Sequence, residues 1–252
     1  LRQERFDGGS AGAKVLDVLA LALGIAVVVP PVAALVMSGL DHVTLNGALL
    51  SALGWSLAIG GAAALVATAL GYGLAGAAAR APRWRGWFEG VALAGVIVPP
   101  AVMATGWFLL FGRNGTSIAE LFLLVVALNA LMALPFVVAV LAPALTRLAA
   151  AHDRLCASLG ISGWARLRFI DVPALRRPLA QALLLAGIMA MGDLTAITLF
   201  GSGGILTLPA LVYQQMGHYR GHLAAGTALV LALVIFLSAW LAEHLGAEDD
   251  PH

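Results

Sequence analysis

Lysine and cysteine are almost missing from these 252 residues, and charge of either sign is scarce. Lys14 is the sole lysine, and it follows Ala13 at the start of an apolar run. A nucleotide-cradling P-loop needs Gly-Lys-Ser or Gly-Lys-Thr after a glycine-rich turn. No ATP-hydrolysing site is therefore encoded. Cys156 is the sole cysteine, which excludes an intrachain disulfide; it reads as a small packing residue. Charged residues make up 11% of the chain against 61% hydrophobic, with a mean hydropathy of +0.96. A soluble domain of this size could not bury so much apolar surface. The composition points to an all-α, multi-pass membrane protein forming a single transmembrane domain over residues 1–252. Neither a signal-peptide pattern nor an internal repeat is recognisable. Leu1 in place of a start methionine reads as a fragment, a processed chain or one half of a longer protein.

About 20 apolar residues cross a bilayer as a helix, and six such stretches occur. They cover residues 15–37, 49–79, 87–111, 118–142, 179–200 and 223–245. Basic residues set their direction. Arg2, Arg5 and Lys14, then Arg80, Arg83 and Arg85, then Arg147, Arg154, Arg166, Arg168, Arg176 and Arg177 fall on one side, 12 of the 14 in all. Only Arg113 and Arg220 fall on the other. The positive-inside rule places the rich side in the cytoplasm, with both termini there. The acidic tail at 247–250 does not count against this, because the rule weighs basic residues.

Prolines inside spans free backbone carbonyls that must find partners in the protein or a wet cavity. Pro99-Pro100 in the third stretch predicts either a broken helix facing a pathway or a plain kink. Pro30-Pro31 and Pro135 also lie inside apolar stretches. Gly54, Gly60, Gly61, Gly71, Gly73 and Gly76 in the second stretch read as close helix packing. Gly201 to Gly204 reads as a turn. His218 and His222 stand four apart, which can place two imidazoles on one helical face, but no Cys, Asp or Glu accompanies them as further ligands. No metal is expected.

The segment at about 147–178 is the informative one. Five arginines lie from Arg154 to Arg177, yet Leu155, Leu159, Trp164 and Leu167 keep helical apolar spacing. Gly160, Gly163 and Pro173 punctuate it as helix, turn, helix, and Asp153 and Asp171 interrupt the basic run. A basic amphipathic segment beside a membrane can bind anionic lipid, which needs no such architecture; the punctuation favours docking onto a protein over that alternative. A short helix at 154–159, ended by Gly160 in a left-handed conformation, is predicted.

Gly160, then nine residues, then Ile170-Asp171-Val172-Pro173 resembles the signature loop of ABC importer permeases, with Val172 for the usual leucine. Arg154-Leu155-Cys156 stands where that loop has Glu-Ala-Ala. Further likenesses are Ser158-Leu159-Gly160-Ile161, Gly163-Trp164, Asn129 to Pro135, Met191-Gly192-Asp193-Leu194, Leu208-Pro209, Tyr213-Gln214-Gln215 and Tyr219-Arg220. Together they resemble the C-terminal half of thiamine/thiamine pyrophosphate ABC importer permeases, over about residues 49–245. Ferric-iron permeases share parts of these motifs.

The resemblance implies a type I importer permease of the bacterial inner membrane, with about six transmembrane helices. Its partners would be a second permease half, a cytoplasmic ABC ATPase dimer that carries ATP and Mg, a periplasmic solute-binding protein and membrane lipid. The chain itself would hold no cofactor, would not be an enzyme, and nothing implies nucleic acid. Arg154, Ala157, Ser158, Leu159, Gly160, Ile161, Gly163, Trp164, Ile170 and Pro173 would form the ATPase coupling loop. Pro99, Pro100, Asn129, Asp193 and Thr195 are candidates for the translocation pathway.

Asp193, about 20 Å into its span at 1.5 Å per residue, costs on the order of 3 kcal/mol unless it faces the bundle or water. It is either a strut bonded to a neighbour such as Asn129, or a pathway carboxylate favouring a cation; thiamine carries a permanent positive charge. Tyr213, Gln214, Tyr219 and Arg220 would lie at the periplasmic face, as an aromatic belt or as a helix that meets the binding protein. Two other classes stay open: a secondary transporter using Asp193, which would show inverted repeats and no docking loop, and a non-transporting assembly protein.

The topology is testable by labelling in a Cys156→Ser background. Impermeant thiol reagent should reach Asn114→Cys and Ser202→Cys from outside the cell and miss Gly163→Cys. Outside labelling at position 163 would invert the orientation.

Overall fold

The computed structural model describes residues 11–111, 117–200 and 204–247. Arg2, Arg5, Arg113, Asn114, Gly201 to Gly203 and the acidic tail from Glu248 lie outside them. Every regular element among the described residues is helical.

Helix α1 (Ala11–Leu40) continues without interruption past Pro30 and Pro31. Its apolar side chains are exposed along its length, and it meets the rest of the chain along the last helix. Helix α2 (Gly47–Arg80) starts at Asn46, whose side chain accepts from the Leu49 N–H at 2.8 Å; an N-cap of this kind satisfies one of the orphan donors of the first turn. After a short 3-10 turn come α3 (Arg85–Ile97) and α4 (Pro100–Phe111). Helix α5 (Ile118–Ser158) opens with a capping box between Ser117 and Glu120. A compact turn follows: α6 (Gly163–Arg166), a π-helical turn at Leu167–Asp171 and α7 (Val172–Ala174). Then come α8 (Arg176–Gly192), α9 (Thr195–Phe200), α10 (Leu208–Gly217) and α11 (Gly221–Ala247).

Four helices are long and apolar enough to span a bilayer, and two bent helix pairs raise the number to as many as six. The core lies where α2, α5 and α8 meet. Ala63, Ala67, Val137, Leu141, Ala182 and Ala186 are buried there. In lipid, association depends on such small residues, since apolar burial alone gives no gain over lipid tails. Of the glycines in α2, only Gly60 and Gly71 meet a neighbouring helix, at Met191 and Val137. Gly54, Gly61 and Gly73 face open space, and Gly76 meets only Arg80 of its own helix. The reading of all six as packing residues is corrected to two.

The third stretch is broken. Val98 is extended (φ −88°, ψ 121°), as the residue before a proline prefers, and Pro100 opens α4. The two halves bend by 84°. The fifth stretch, expected as one helix through Asp193, also breaks. Helix α8 ends at Gly192, Asp193 is extended (φ −80°, ψ 125°), and α9 starts at Thr195. Glycine weakens the helix, and the Asp193 side chain accepts from the Thr195 N–H at 2.9 Å, which restarts it. At 17 residues, α8 reaches about 26 Å, short of the roughly 30 Å hydrocarbon core. The half-helices that follow the breaks, α4 and α9, pack on each other.

The fourth stretch is longer than expected. It was bounded at 118–142, yet α5 continues to Ser158 through Pro135 and Pro143. Residues 147–153, read as connection, are helix, and the short helix expected at 154–159 is the end of α5 and not a separate element. After Pro143 the run from Ala144 to Ala157 is rich in alanine, leucine and arginine, all strong helix formers.

Pro135 leaves the Leu131 carbonyl without its N–H partner four residues on. Gly95 of α3 sits directly over that carbonyl, and a Cβ there would overlap it. Because the obstacle is backbone, it cannot move aside. Gly95→Ala should therefore destabilise the protein by about 1–3 kcal/mol, seen as a lower unfolding midpoint in detergent. Gly61→Ala, facing open space, should raise or preserve the midpoint. Equal midpoints for the two variants would contradict the close approach.

Candidate functional site

Two sites emerge, one at each of two depths. The first is at the arginine-bearing end of the bundle. Helix α5 ends there in a Schellman arrangement: the Ile161 N–H bonds to the Cys156 carbonyl at 2.9 Å and the Gly160 N–H to Ala157 at 3.3 Å. Gly160 has φ +67°, the left-handed conformation expected for it. Gly163 has φ +60°, so two left-handed glycines reverse the chain within four residues. Nothing lies within 4 Å of a Cβ at either, which makes the requirement one of backbone conformation alone.

This reversal presents apolar side chains to the outside. Leu155 is 56% exposed, Leu159 63%, Trp164 73% and Phe169 72%. Arg154, Ala157, Ser158, Gly163 and Pro173 are exposed beside them, while Ile161 and Ile170 are half-buried. Cys156 is buried, in keeping with a packing role. Leu167, grouped with the apolar set by its spacing, is half-buried instead, and Phe169 takes the outward place. The π-helical turn at Leu167–Asp171 inserts a residue and shifts the helical register, which a 3.6-residue period does not foresee.

Behind the apolar face lies a polar cluster that the sequence did not single out. Arg80 of α2 pairs with Asp153 of α5 at 3.3 Å and with Asp171 at 3.8 Å. Arg166 pairs with Asp171 at 3.3 Å and bonds Asp153 directly. Tyr72 of α2 donates to Asp171, which is 3% exposed. The hydrogen bond to Asp153 holds the Arg166 guanidinium above its usual pKa, against a smaller opposing effect of burial. In the sequence Asp153 and Asp171 appeared as interruptions of a basic run, and Arg80 and Arg166 as markers of orientation. Acids placed inside a run of arginines were the available signal.

The second site is a cavity of about 520 Å³ at the two helix breaks. Gly95, Pro100, Asn129, Met132, Phe136, Ile188, Met189, Gly192 and Asp193 line it. Three of the five pathway candidates thus converge from α4, α5 and the end of α8. Pro99 lies at the break without lining the cavity. Thr195 does not line it either; its contribution is the backbone N–H held by Asp193 Oδ1. Asp193 Oδ2 is buried without a hydrogen-bond partner. No hydrogen bond joins Asp193 to Asn129 among the described residues, so the strut to Asn129, one of the two alternatives for Asp193, is not formed. A carboxylate oxygen without a partner, beside thioethers and an aromatic ring, suits a cation with apolar parts.

At the opposite end, Tyr213, Gln214, Tyr219 and Arg220 are all exposed. Tyr219 is 99% exposed and sits at φ +57°, an uncommon conformation for a bulky residue. It ends α10 with the same pattern of bonds as Gly160, from Arg220 to Gln215 and from Tyr219 to Met216. His218 and His222 do not share a helical face: α10 ends at Gly217 and α11 begins at Gly221. His222 stacks on His42 instead, with centroids 4.8 Å apart. No cluster of three metal-binding side chains occurs among the described residues.

The sequence profile of a family described as binding-protein-dependent transport system inner membrane component matches residues 67–247. Over 240 residues the chain is 39% identical to the thiamine transport system permease protein ThiP of Brucella abortus, covering 93% of this chain and 44% of that protein. It is 35% identical to the protein of that name from Salmonella typhimurium, over 92% of this chain and 45% of the relative. For the Escherichia coli protein of that name the identity is 34%, again over 92% and 45%. The chain spans a little under half the length of the curated relatives it matches.

Gly160→Val forces a β-branched residue into the left-handed region, at about 1–2 kcal/mol. Gly160→Asn should cost less, because asparagine tolerates that region. Unfolding midpoints should therefore fall in the order glycine, asparagine, valine, and protease sites at 161–163 should open in the same order. A valine variant as stable as the parent would deny the glycine its conformational role.

Proposed function

Since the chain belongs to the family of binding-protein-dependent transport system inner membrane components, and is thus a multi-pass inner-membrane protein, we propose that it forms the translocation pathway of an ATP-driven importer for thiamine or its phosphates. The observation that carries this reading is the apolar face at Leu155, Leu159, Trp164 and Phe169, exposed around the turn set by Gly160 and Gly163 at the arginine-rich end. An exposed cluster of large apolar side chains on a fixed scaffold is a protein-docking surface. By the positive-inside rule that end faces the cytoplasm, where an ABC ATPase dimer with ATP and Mg would sit. The lysine-poor sequence leaves hydrolysis to that partner.

The other partners follow from the same reading. A second permease half would complete the pathway, and a periplasmic solute-binding protein would deliver the solute near Tyr213, Gln214, Tyr219 and Arg220. Identity of 34–39% to thiamine permeases supports thiamine over ferric iron as the cargo. The cavity at the helix breaks supports the same cargo. Broken backbone at membrane depth is tolerated where it lines a pathway, and Asp193 supplies one negative charge for a cationic ring.

Asp193→Asn separates charge from structure. Asparagine still caps α9, so assembly should persist. Uptake of labelled thiamine by the reconstituted transporter should fall at least about tenfold, equivalent to ~1.4 kcal/mol. Normal uptake in Asp193→Asn, with failed assembly in Asp193→Leu, would make the carboxylate a strut. Failure of any ABC ATPase to co-purify with the unaltered chain would sink the importer reading.

A further inference from the structure

Four charged side chains close into a square behind the docking face. Arg80 reaches both Asp153 and Asp171, and Arg166 reaches the same two carboxylates. Each cation therefore has two anions and each anion two cations, and the charges cancel. Tyr72 adds a fifth link through its hydroxyl to Asp171. The members come from three separate parts of the chain: α2 gives Tyr72 and Arg80, α5 gives Asp153, and the turn at 163–174 gives Arg166 and Asp171.

Exposed pairs are weak because water competes for both partners. Here the Asp171 side chain is 4% exposed and that of Arg166 16%. A carboxylate so placed is costly to leave unpaired, so the square resists being pulled apart. It also stands where little else connects. The turn at 163–174 packs mainly on itself and on α8, and Trp164 and Phe169 point outward. The turn continues directly into α8 and is two left-handed glycines from α5. With α2 it has no chain continuity at all, yet α2 forms the core with α5 and α8.

We infer that this square is the link that passes displacement of the docking turn to α2, which makes Tyr72, Arg80, Asp153, Arg166 and Asp171 positioning residues for transport. The inference rests on the importer reading given above. A load on Trp164 and Phe169 reaches α5 and α8 along the chain. It reaches α2 through Asp171 and Arg166, which hold Arg80 and Tyr72. Arginine suits two of the corners because its planar fork can serve two carboxylates at once. When the square is intact, the three core helices move together. When a corner is neutralised, the turn still presents its apolar face but slips against α2.

The test measures solute imported per ATP hydrolysed by the complete reconstituted transporter, with labelled thiamine as the probe. Asp171→Asn and Arg80→Gln should keep the ATPase bound and lower this ratio at least about fivefold. Asp171→Glu, which keeps the charge, should recover most of it. A purely structural role would reduce the amount of assembled transporter and leave the ratio of the remainder unchanged; that outcome overturns the inference. Should Asp171→Asn fail to assemble, Tyr72→Phe decides, since it removes one hydroxyl: a lower ratio at full assembly supports the link, and an unchanged ratio overturns it. A nitroxide at Ala165→Cys, in a Cys156→Ala background, gives a readout independent of transport. Its mobility should rise in Asp171→Asn, and unchanged mobility would show that the square does not hold the turn. An unaltered transporter that never couples hydrolysis to uptake would overturn the importer reading instead, with the nitroxide still reporting on the square.

Discussion

A backbone N–H or C=O in hydrocarbon has no water to bond, and each one left unpaired costs several kcal/mol. That constraint orders the whole structure. It makes every regular element described a helix. It also confines broken backbone to places shielded by protein. Both breaks, at Val98 to Pro100 and at Asp193, open onto the same cavity. The half-helices after them pack on each other, and Asp193 caps the second. The carbonyl freed by Pro135 is covered by Gly95. The cavity exists because two helices gave up continuity at one depth and the neighbouring helices closed round the gap.

Outside the hydrocarbon the balance of forces changes. Apolar burial gives little between helices in lipid, so the core relies on alanine and glycine contacts along α2, α5 and α8. At the arginine-rich end, ion pairs and left-handed glycines replace that packing. The Tyr72, Arg80, Asp153, Arg166 and Asp171 cluster ties the turn to the bundle, and Gly160 and Gly163 set its direction. Leu155, Leu159, Trp164 and Phe169 are left facing outward.

Much of this was legible residue by residue. The apolar stretches lie close to the helices observed, because a span must have a certain length and polarity. The left-handed Gly160 was legible because glycine acts on its own backbone; Pro99-Pro100 signalled a disturbance, and the structure decided for a break over a kink. The extension of α5 to Ser158 was not, since Pro143 gives a local signal to stop that helix-forming neighbours outweigh. Nor was the outward turn of Phe169, which depends on a π-helical register. Asn129 and Asp193 line one cavity, and the bond between them that was one of two alternatives for Asp193 is not formed.

By itself the sequence determined what local chemistry can determine: a membrane class from composition, and a helix end at Gly160 from a residue that tolerates the left-handed region. Only the tertiary structure decided which distant residues meet. Tyr72 and Asp171 are 99 positions apart and share a hydrogen bond, and Arg80 stands between two acids far along the chain. Ion pairs of this kind carry no period and no spacing rule. Their partners are chosen by how three helices pack, and packing is a property of the whole chain.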